Sequence, residues 1–307
     1  MRRRLDGDLS AQQRAAWAAR PERGHAFVIR CGVRLALALG RPVAWLLLHA
    51  VSLYFLAVSA GDRAASRQYL RKVLGREPGL ADLFRHFHSF ATTLLDRVYL
   101  LNGQYGRYDV RVHGEEIVAG MLARGEGCLL LGAHFGSFEI VRFLGHAARA
   151  PRVSLVMYEQ GTKTLNAALN AINPDLAMRV IALGRIDSML QLERALADGE
   201  FVGVLADRII GSESTVSCPF LGAPARFPDG SFRIAALLKR PVVLMLGIYR
   251  GGSRYDIHFE VLADMSGVER ADRERAIEDA LQRYVARLEH YCRLAPYNWF
   301  NFYDFWN

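Results

Sequence analysis

Apolar positions change their rhythm along the chain, and each rhythm predicts a different kind of element. From Val43 to Ala60 the residues VAWLLLHAVSLYFLAVSA form eighteen consecutive positions without a formal charge, preceded by LALALG and the pair Arg41 and Pro42. A helix of that length just crosses the hydrocarbon core of a bilayer. Its polar members His49, Ser52 and Ser59 fall in one sector of a helical wheel, a face that lipid would not favour. The flanks are evenly basic, with four Arg in residues 23–42 and five Arg or Lys in residues 61–80, so charge sets no orientation. A spanning helix and an in-plane helix packed on the domain both fit this segment.

Residues 61–112 show helical periodicity, with Leu70, Leu74, Leu80, Leu83, Phe84, Phe87, Phe90 and Leu94 on recurring faces between basic residues. His86 and His88 lie here, but two positions apart on a helix their rings diverge by about 200°, so no metal site is expected from them. From Gly127 the pattern turns to short apolar runs separated by helix-length amphipathic stretches: CLLLGA, SFEIVRFLGHAA, VSLVMY, TLNAALNAI, RVIAL, IDSMLQLERALADG and FVGVLAD. Such alternation predicts a sheet with crossover helices. A Pro- and Gly-bearing loop at 218–230 follows, then a helix (SFRIAALLKR), a buried strand (PVVLMLGIY), an alternating strand (RYDIHFEVL) and a charged helix from about Val268 to Leu294. The expected fold class is α/β, a mostly parallel sheet with crossover helices preceded by N-terminal membrane-associated helices. The expected division is a basic start and hydrophobic anchor at 1–60, and one domain at 61–307, helical to 112 and α/β from 113.

Composition narrows the partners. With 51% hydrophobic and 23% charged residues, the 307-residue chain buries a large core and lies outside the disordered and low-complexity classes. Its formal charge of +8 suits an anionic phospholipid surface, an acidic carrier protein or nucleic acid. Residues 1–34 alone carry a net +5, and no nucleic-acid motif accompanies that excess, so it reads as a surface anchor and no nucleic-acid partner is expected. Cys31, Cys128, Cys218 and Cys292 are widely spaced, which suggests neither a zinc site nor a disulfide framework.

The candidate chemistry lies in GCLLLGAHFGSFEIVRFLG. His134 stands where a buried strand stops and a helix begins, the place where open α/β sheets put their reactive groups. Gly136 allows a sharp turn and Ser137 is a suitable N-cap. His134 and Glu139 converge only if the His precedes the helix and the Glu lies in its first turn, since on a continuous helix they would point about 140° apart. A neutral His so placed can take a proton from an attacking hydroxyl or amine while a carboxylate fixes its tautomer. The same residues also suit a buried histidine bonded to a carbonyl and a Glu chosen for the positive end of a helix.

GAHFGSFE resembles the H-x-x-x-x-E block of the lipid A biosynthesis acyltransferases; related glycerolipid acyltransferases carry Asp where this chain has Glu139. A second block, LADR at 205–208 followed by PFLGAPARFPDG, is similar to that family's second region, and APYNWFNFYDFW is similar to its tryptophan-bearing tail. The resemblance implies acyl transfer from acyl carrier protein or acyl-CoA to a lipid acceptor, with His134 as base and Glu139 as its support. It further implies no cofactor, no metal and no covalent acyl-enzyme; G-x-S-x-G is absent from the sequence. Arg208, where family members often have Gln, and Arg226 are candidate substrate-binding groups for phosphate or oxyanion. Asp207, Gly222, Pro228 and Gly230 are expected to shape the loop.

A cytosolic donor requires a cytosolic domain, and a single crossing would then put the basic start outside. The expectation is therefore a monotopic or re-entrant anchor on the cytoplasmic face of the inner membrane. Two other functions stay open: a thioesterase or lipid hydrolase in which His134 activates water, and a non-enzymatic lipid-binding protein that keeps the fold.

Overall fold

The computed structural model describes residues 26–141, 152–158, 179–183, 187–209 and 213–306. The basic start before residue 26, the helix expected from SFEIVRFLGHAA beyond residue 141, and TLNAALNAI lie outside the described residues.

Four helices come first: α1 (Ala26–Leu39), α2 (Arg41–Val58), α3 (Ala60–Leu74) and α4 (Leu80–Leu101). The order then runs β1 (Asp109–His113), α5 (Glu115–Arg124), β2 (Cys128–Gly132), β3 (Val153–Tyr158), β4 (Arg179–Leu183), α6 (Ser188–Ala197) and β5 (Phe201–Leu205). It ends with β6 (Thr215–Phe220), β7 (Ala223–Pro228), α7 (Gly230–Leu238), β8 (Val242–Tyr249), β9 (Arg254–Ala263) and α8 (Arg273–Leu294). The apolar runs read as strands form β2, β3, β4, β5, β8 and β9. They join β1 in a seven-stranded sheet of order β1-β9-β8-β2-β5-β3-β4. Every neighbouring pair is parallel except β8 and β9.

β2 and β8 are buried along their whole length, as their continuous Leu and Val runs require of central strands covered on both faces. Period-two alternation divides β2 between two cores. Leu129 and Leu131 pack with Tyr69, Leu192, Phe232 and Tyr284, while Cys128 and Leu130 pack with Leu95, Tyr99, Val118 and Met121. The sheet is therefore the middle of three layers.

Two elements differ from the sequence expectation. Residues 218–230, expected as a loop, lie largely in a β6–β7 hairpin. Leu221 at φ 51° and Gly222 at φ 80° are its two turn residues, the left-handed pair that matches strand twist. The helical stretch expected to reach residue 112 ends at Leu101, and Asp109–His113 joins the sheet edge as β1.

α2 is the one helix among the described residues long and apolar enough to cross a membrane, by length and composition. Its polar sector does not face outward: Ser52 and Ser59 are each 2% exposed, and His49 and Trp45 pack on His88 of α4. At its first turn Arg41 grips the buried Asp96 of α4 through Nε at 2.7 Å and Nη2 at 3.0 Å. The Tyr255 hydroxyl donates to the same carboxylate at 2.6 Å, and that of Tyr108 at 3.2 Å. Removing one partner of such a buried pair costs about 3–5 kcal/mol, because it strands the other charge. The remaining face of α2, including Val43, Leu46, Leu47, Leu53, Tyr54 and Val58, stands exposed.

Candidate active site

Register brings the site together. β2 and β5 are parallel neighbours with Gly132 opposite Leu205, and Ala206 N–H donates to the Gly132 carbonyl at 3.0 Å. Two residues further along each strand stand His134 and Asp207, side by side beyond the carboxyl edge of the sheet. The Nδ1 of His134 lies 2.8 Å from Asp207 Oδ1, and its backbone N–H donates to Oδ2 at 3.1 Å. Trp299 Nε1 and Asn301 Nδ2 also donate to Oδ2, at 3.0 and 3.2 Å. The Asp207 side chain is fully buried and that of His134 keeps 29% of its surface exposed.

Burial opposes the charge on Asp207, but the adjacent His134, the Arg208 guanidinium and the donated hydrogen bonds outweigh it and hold the carboxyl down at about 2. Desolvation, with the Arg208 charge, pulls the His134 imidazole below its ordinary value against the pull of Asp207. At neutral pH the pair is a carboxylate and a neutral imidazole. An ionised carboxylate only accepts, so the imidazole proton sits on Nδ1 and the lone pair on Nε2. That is a base with its tautomer fixed.

Glu139 does not fill this place. Its Oε1 pairs with Arg97 Nε of α4 at 2.5 Å, in a short 3₁₀ turn at residues 139–141. The carboxylate on the imidazole is Asp207, which the sequence assigned to loop shaping. The physical reason is the β2–β5 pairing, which aligns residues 73 positions apart, whereas the turn after His134 carries Glu139 to a neighbouring helix. Ser137, expected as an N-cap, is buried with no hydrogen-bond partner for its hydroxyl. Gly136 does make the sharp turn: at φ 58° it crosses Gly247 so closely that a Cβ would lie 1.9 Å from the Gly247 carbonyl oxygen.

The C-terminal tail forms the wall of the site. Phe300 N–H donates to the His134 carbonyl at 2.7 Å, and Gly136 N–H to the Asn298 carbonyl at 2.8 Å. His86 of α4, lowered to about 4 by burial, donates from Nε2 to the Trp299 carbonyl at 2.8 Å while Ser66 donates to its Nδ1 at 2.8 Å. His86 and His88 thus serve different neighbours, as their divergent directions require. The part played by Asn298, Asn301 and His86 was missed from sequence; the signal available was the unusual density of Asn and aromatic residues in YNWFNFYDFW.

Arg208 is also turned to the tail. Its Nε donates to Asn301 Oδ1 at 2.7 Å, its Nη2 to the Phe300 carbonyl at 2.8 Å, and it stacks over Tyr303. Arg226 stands on the exposed face of the hairpin, where Nε and Nη2 donate to Thr215 Oγ1 at 3.0 and 2.7 Å, outside the hydrogen-bond network of His134. Gly222 occupies the hairpin turn, Pro228 ends β7 and Gly230 begins α7.

One cluster among the described residues has metal-ligand chemistry: His113, Asp256 and His258 at the β1–β9 edge, their ligand atoms within 4.8 Å of one another. The imidazoles stack at 4.4 Å with planes 9° apart, so their lone pairs lie in parallel planes and do not meet at one ion, and Asp256 is held by Arg250 at 2.6 Å.

No curated protein matches the chain. A family model described as bacterial lipid A biosynthesis acyltransferase matches residues 14–307, a span that takes in α1 and α2, the His134 strand end, the Asp207 strand end and the tail that binds them. By that match over nearly its whole length, the chain belongs to the bacterial lipid A biosynthesis acyltransferase family.

Proposed function

We propose that this protein moves a fatty acyl chain from a thioester, on acyl carrier protein or CoA, to a hydroxyl or amine of a lipid acceptor at the cytoplasmic face of the inner membrane. The family supports an acyltransferase with a lipid acceptor. The observation that carries the mechanism is the His134–Asp207 contact at 2.8 Å, with Nε2 of a neutral imidazole left as the proton acceptor. His134 Nε2 takes the acceptor's proton as its oxygen or nitrogen attacks the thioester carbon. The tetrahedral intermediate then collapses, the carbon–sulfur bond breaks, and the thiolate recovers that proton from the imidazolium. Asp207 steadies the imidazolium, a role of the kind carboxylates play beside catalytic histidines. The Glu139–Arg97 pair ties the loop that carries His134 to α4 and positions the base. The apolar outer face of α2 and the arginines of residues 23–76 suit a bilayer surface with anionic headgroups.

The test is a comparison of lipids from cells with and without the gene by mass spectrometry, joined to transfer by the purified full chain from an acyl thioester into extracted host lipid. One acylated lipid should disappear in the deletion and form in vitro. An unchanged lipid profile, with free fatty acid as the sole product in vitro, would replace the transferase reading with hydrolysis.

A further inference from the structure

Successive residues of the C-terminal tail are each held at the dyad by a different neighbour. Asn298 pairs with the end of β8, its Nδ2 donating to the Tyr249 carbonyl at 3.1 Å while its Oδ1 accepts from the Tyr249 N–H at 2.8 Å. His86 holds the Trp299 carbonyl, and the His134 carbonyl holds the Phe300 N–H. Asn301, 1% exposed, is thereby set between the Arg208 guanidinium and the Asp207 carboxylate. We propose that Asn301 is a positioning residue for the acyl-transfer base: its uncharged amide keeps Arg208 off Asp207 and so leaves that carboxylate to His134. This rests on the acyl-transfer reading above.

Chemistry fixes which way the amide points. A guanidinium only donates and an ionised carboxylate only accepts. The amide oxygen therefore faces Arg208 Nε, at 2.7 Å, and the amide nitrogen faces Asp207 Oδ2, at 3.2 Å. Asn supplies both an acceptor and a donor on one short side chain; Asp would lack the donor, and Leu would lack both.

The insertion matters because Arg208 follows Asp207 directly in the chain. Arginine and carboxylate pair readily through two parallel hydrogen bonds. Such a pair would compete with the imidazole for both carboxylate oxygens and press a positive charge against the imidazolium. Here the guanidinium instead meets neutral groups: Asn301 Oδ1 through Nε, the Phe300 carbonyl through Nη2 at 2.8 Å, and the Tyr303 ring at 5.6 Å. Neutral N–H donors from Trp299, Asn301 and the His134 backbone gather on Oδ2, while Oδ1 meets Nδ1 of His134 at 2.8 Å. Desolvation, then the Arg208 charge, lowers the proton affinity of His134, and Asp207 raises it. The amide stands where those two opposing charges are held apart.

The experiment follows the His134 ring by NMR in the full chain, carrying isotope-labelled histidine in detergent micelles, with the signal assigned by its loss in His134→Ala. The pH profile of transfer is recorded on the same proteins. Asn301→Asp is isosteric and brings a second carboxylate to the pair, so the titration midpoint of His134 and the acid limb of transfer should both rise by about one pH unit. Asn301→Leu removes the amide and lets the guanidinium close on Asp207, so both should fall. Loss of packing alone would lower the rate without sending the midpoint in opposite directions in the two variants. If Asn301→Asp does not fold, the downward shift in Asn301→Leu decides. A wild-type midpoint in the folded variants overturns the proposal, as does a shifted midpoint with an unmoved acid limb. Opposite midpoint shifts in a protein whose wild-type form transfers no acyl chain would sink the acyl-transfer reading and leave the amide's hold on the dyad standing.

Discussion

At the ends of β2 and β5, Asp207 is sealed from solvent and receives four N–H donors, while on the outer face of α2 Leu46, Leu53 and Tyr54 are open to solvent. The first region spends hydrogen bonds to hold a charge in one geometry. The second presents apolar side chains to solvent, with the Arg41 grip at the foot of its helix. Directional bonding suits a proton transfer, which tolerates little error in position, whereas an apolar face adapts to any apolar surface laid against it. Variants in the first region should therefore change rate, and polar substitutions in the second should change binding to lipid vesicles while leaving the dyad in place.

The largest effect is expected at the imidazole. General-base catalysis is worth roughly 10² to 10⁴ in rate, so His134→Ala should lower transfer by at least about 10²-fold with donor binding retained, as measured by single-turnover transfer and donor titration. A wild-type rate in a folded His134→Ala protein would dissolve the comparison.

The next pair separates the two carboxylates. Asp207→Asn and Glu139→Gln should each lose much of the rate, yet differ in pH profile. Transfer by the wild-type protein rises with pH through the His134 value, which burial and Arg208 hold below the ordinary histidine range. Asp207 favours the imidazolium, so Asp207→Asn should move this acid limb to still lower pH. Glu139, paired with Arg97, should leave the limb in place when changed to Gln. A limb that moves in Glu139→Gln and stays in Asp207→Asn would return the supporting role to Glu139.

Arg208→Lys should have a smaller effect. It keeps a positive charge but cannot hold Asn301 and the Phe300 carbonyl at once through a planar fork. We expect a loss of roughly tenfold in transfer, about the worth of one charge-assisted hydrogen bond, with the thermal transition of the protein still cooperative. Full activity would take the tail out of the positioning of the dyad. Smallest of all is the response to salt. If an acidic carrier protein docks on the basic surface, raising ionic strength should weaken its apparent affinity while leaving the maximal rate alone; an affinity indifferent to salt would remove charge steering from the donor's approach.

Much of the sheet was legible because its central strands are unbroken apolar runs, and His134 was legible because it follows one of them directly. The partner carboxylate was not. Sequence spacing favoured the nearby Glu139, but the contact that fixes the imidazole depends on β5 lying beside β2, a pairing between distant segments that no local pattern encodes. The β6–β7 hairpin was hidden by Pro219, Pro224 and Pro228, which read as loop residues. They are tolerated because this two-stranded ribbon has no further strand to satisfy. β1 was hidden by its length, five residues with exposed Asp109, Arg111 and His113 on one side at the edge of the sheet. The apolar face of α2 was visible in sequence, and so was its polar sector; that this sector seats on α4 follows only from the packed structure.

The Arg41–Asp96 grip has a mechanical consequence. α2 cannot tilt away from α4 without abandoning a carboxylate buried there, so the grip opposes any separation of the two helices. On the proposed bilayer surface, a helix held in this way would set a working height for the enzyme. It would reach only acceptors whose reactive group projects to that level above the hydrocarbon, and discriminate among lipids by the stature of their headgroups before any contact specific to the headgroup is made.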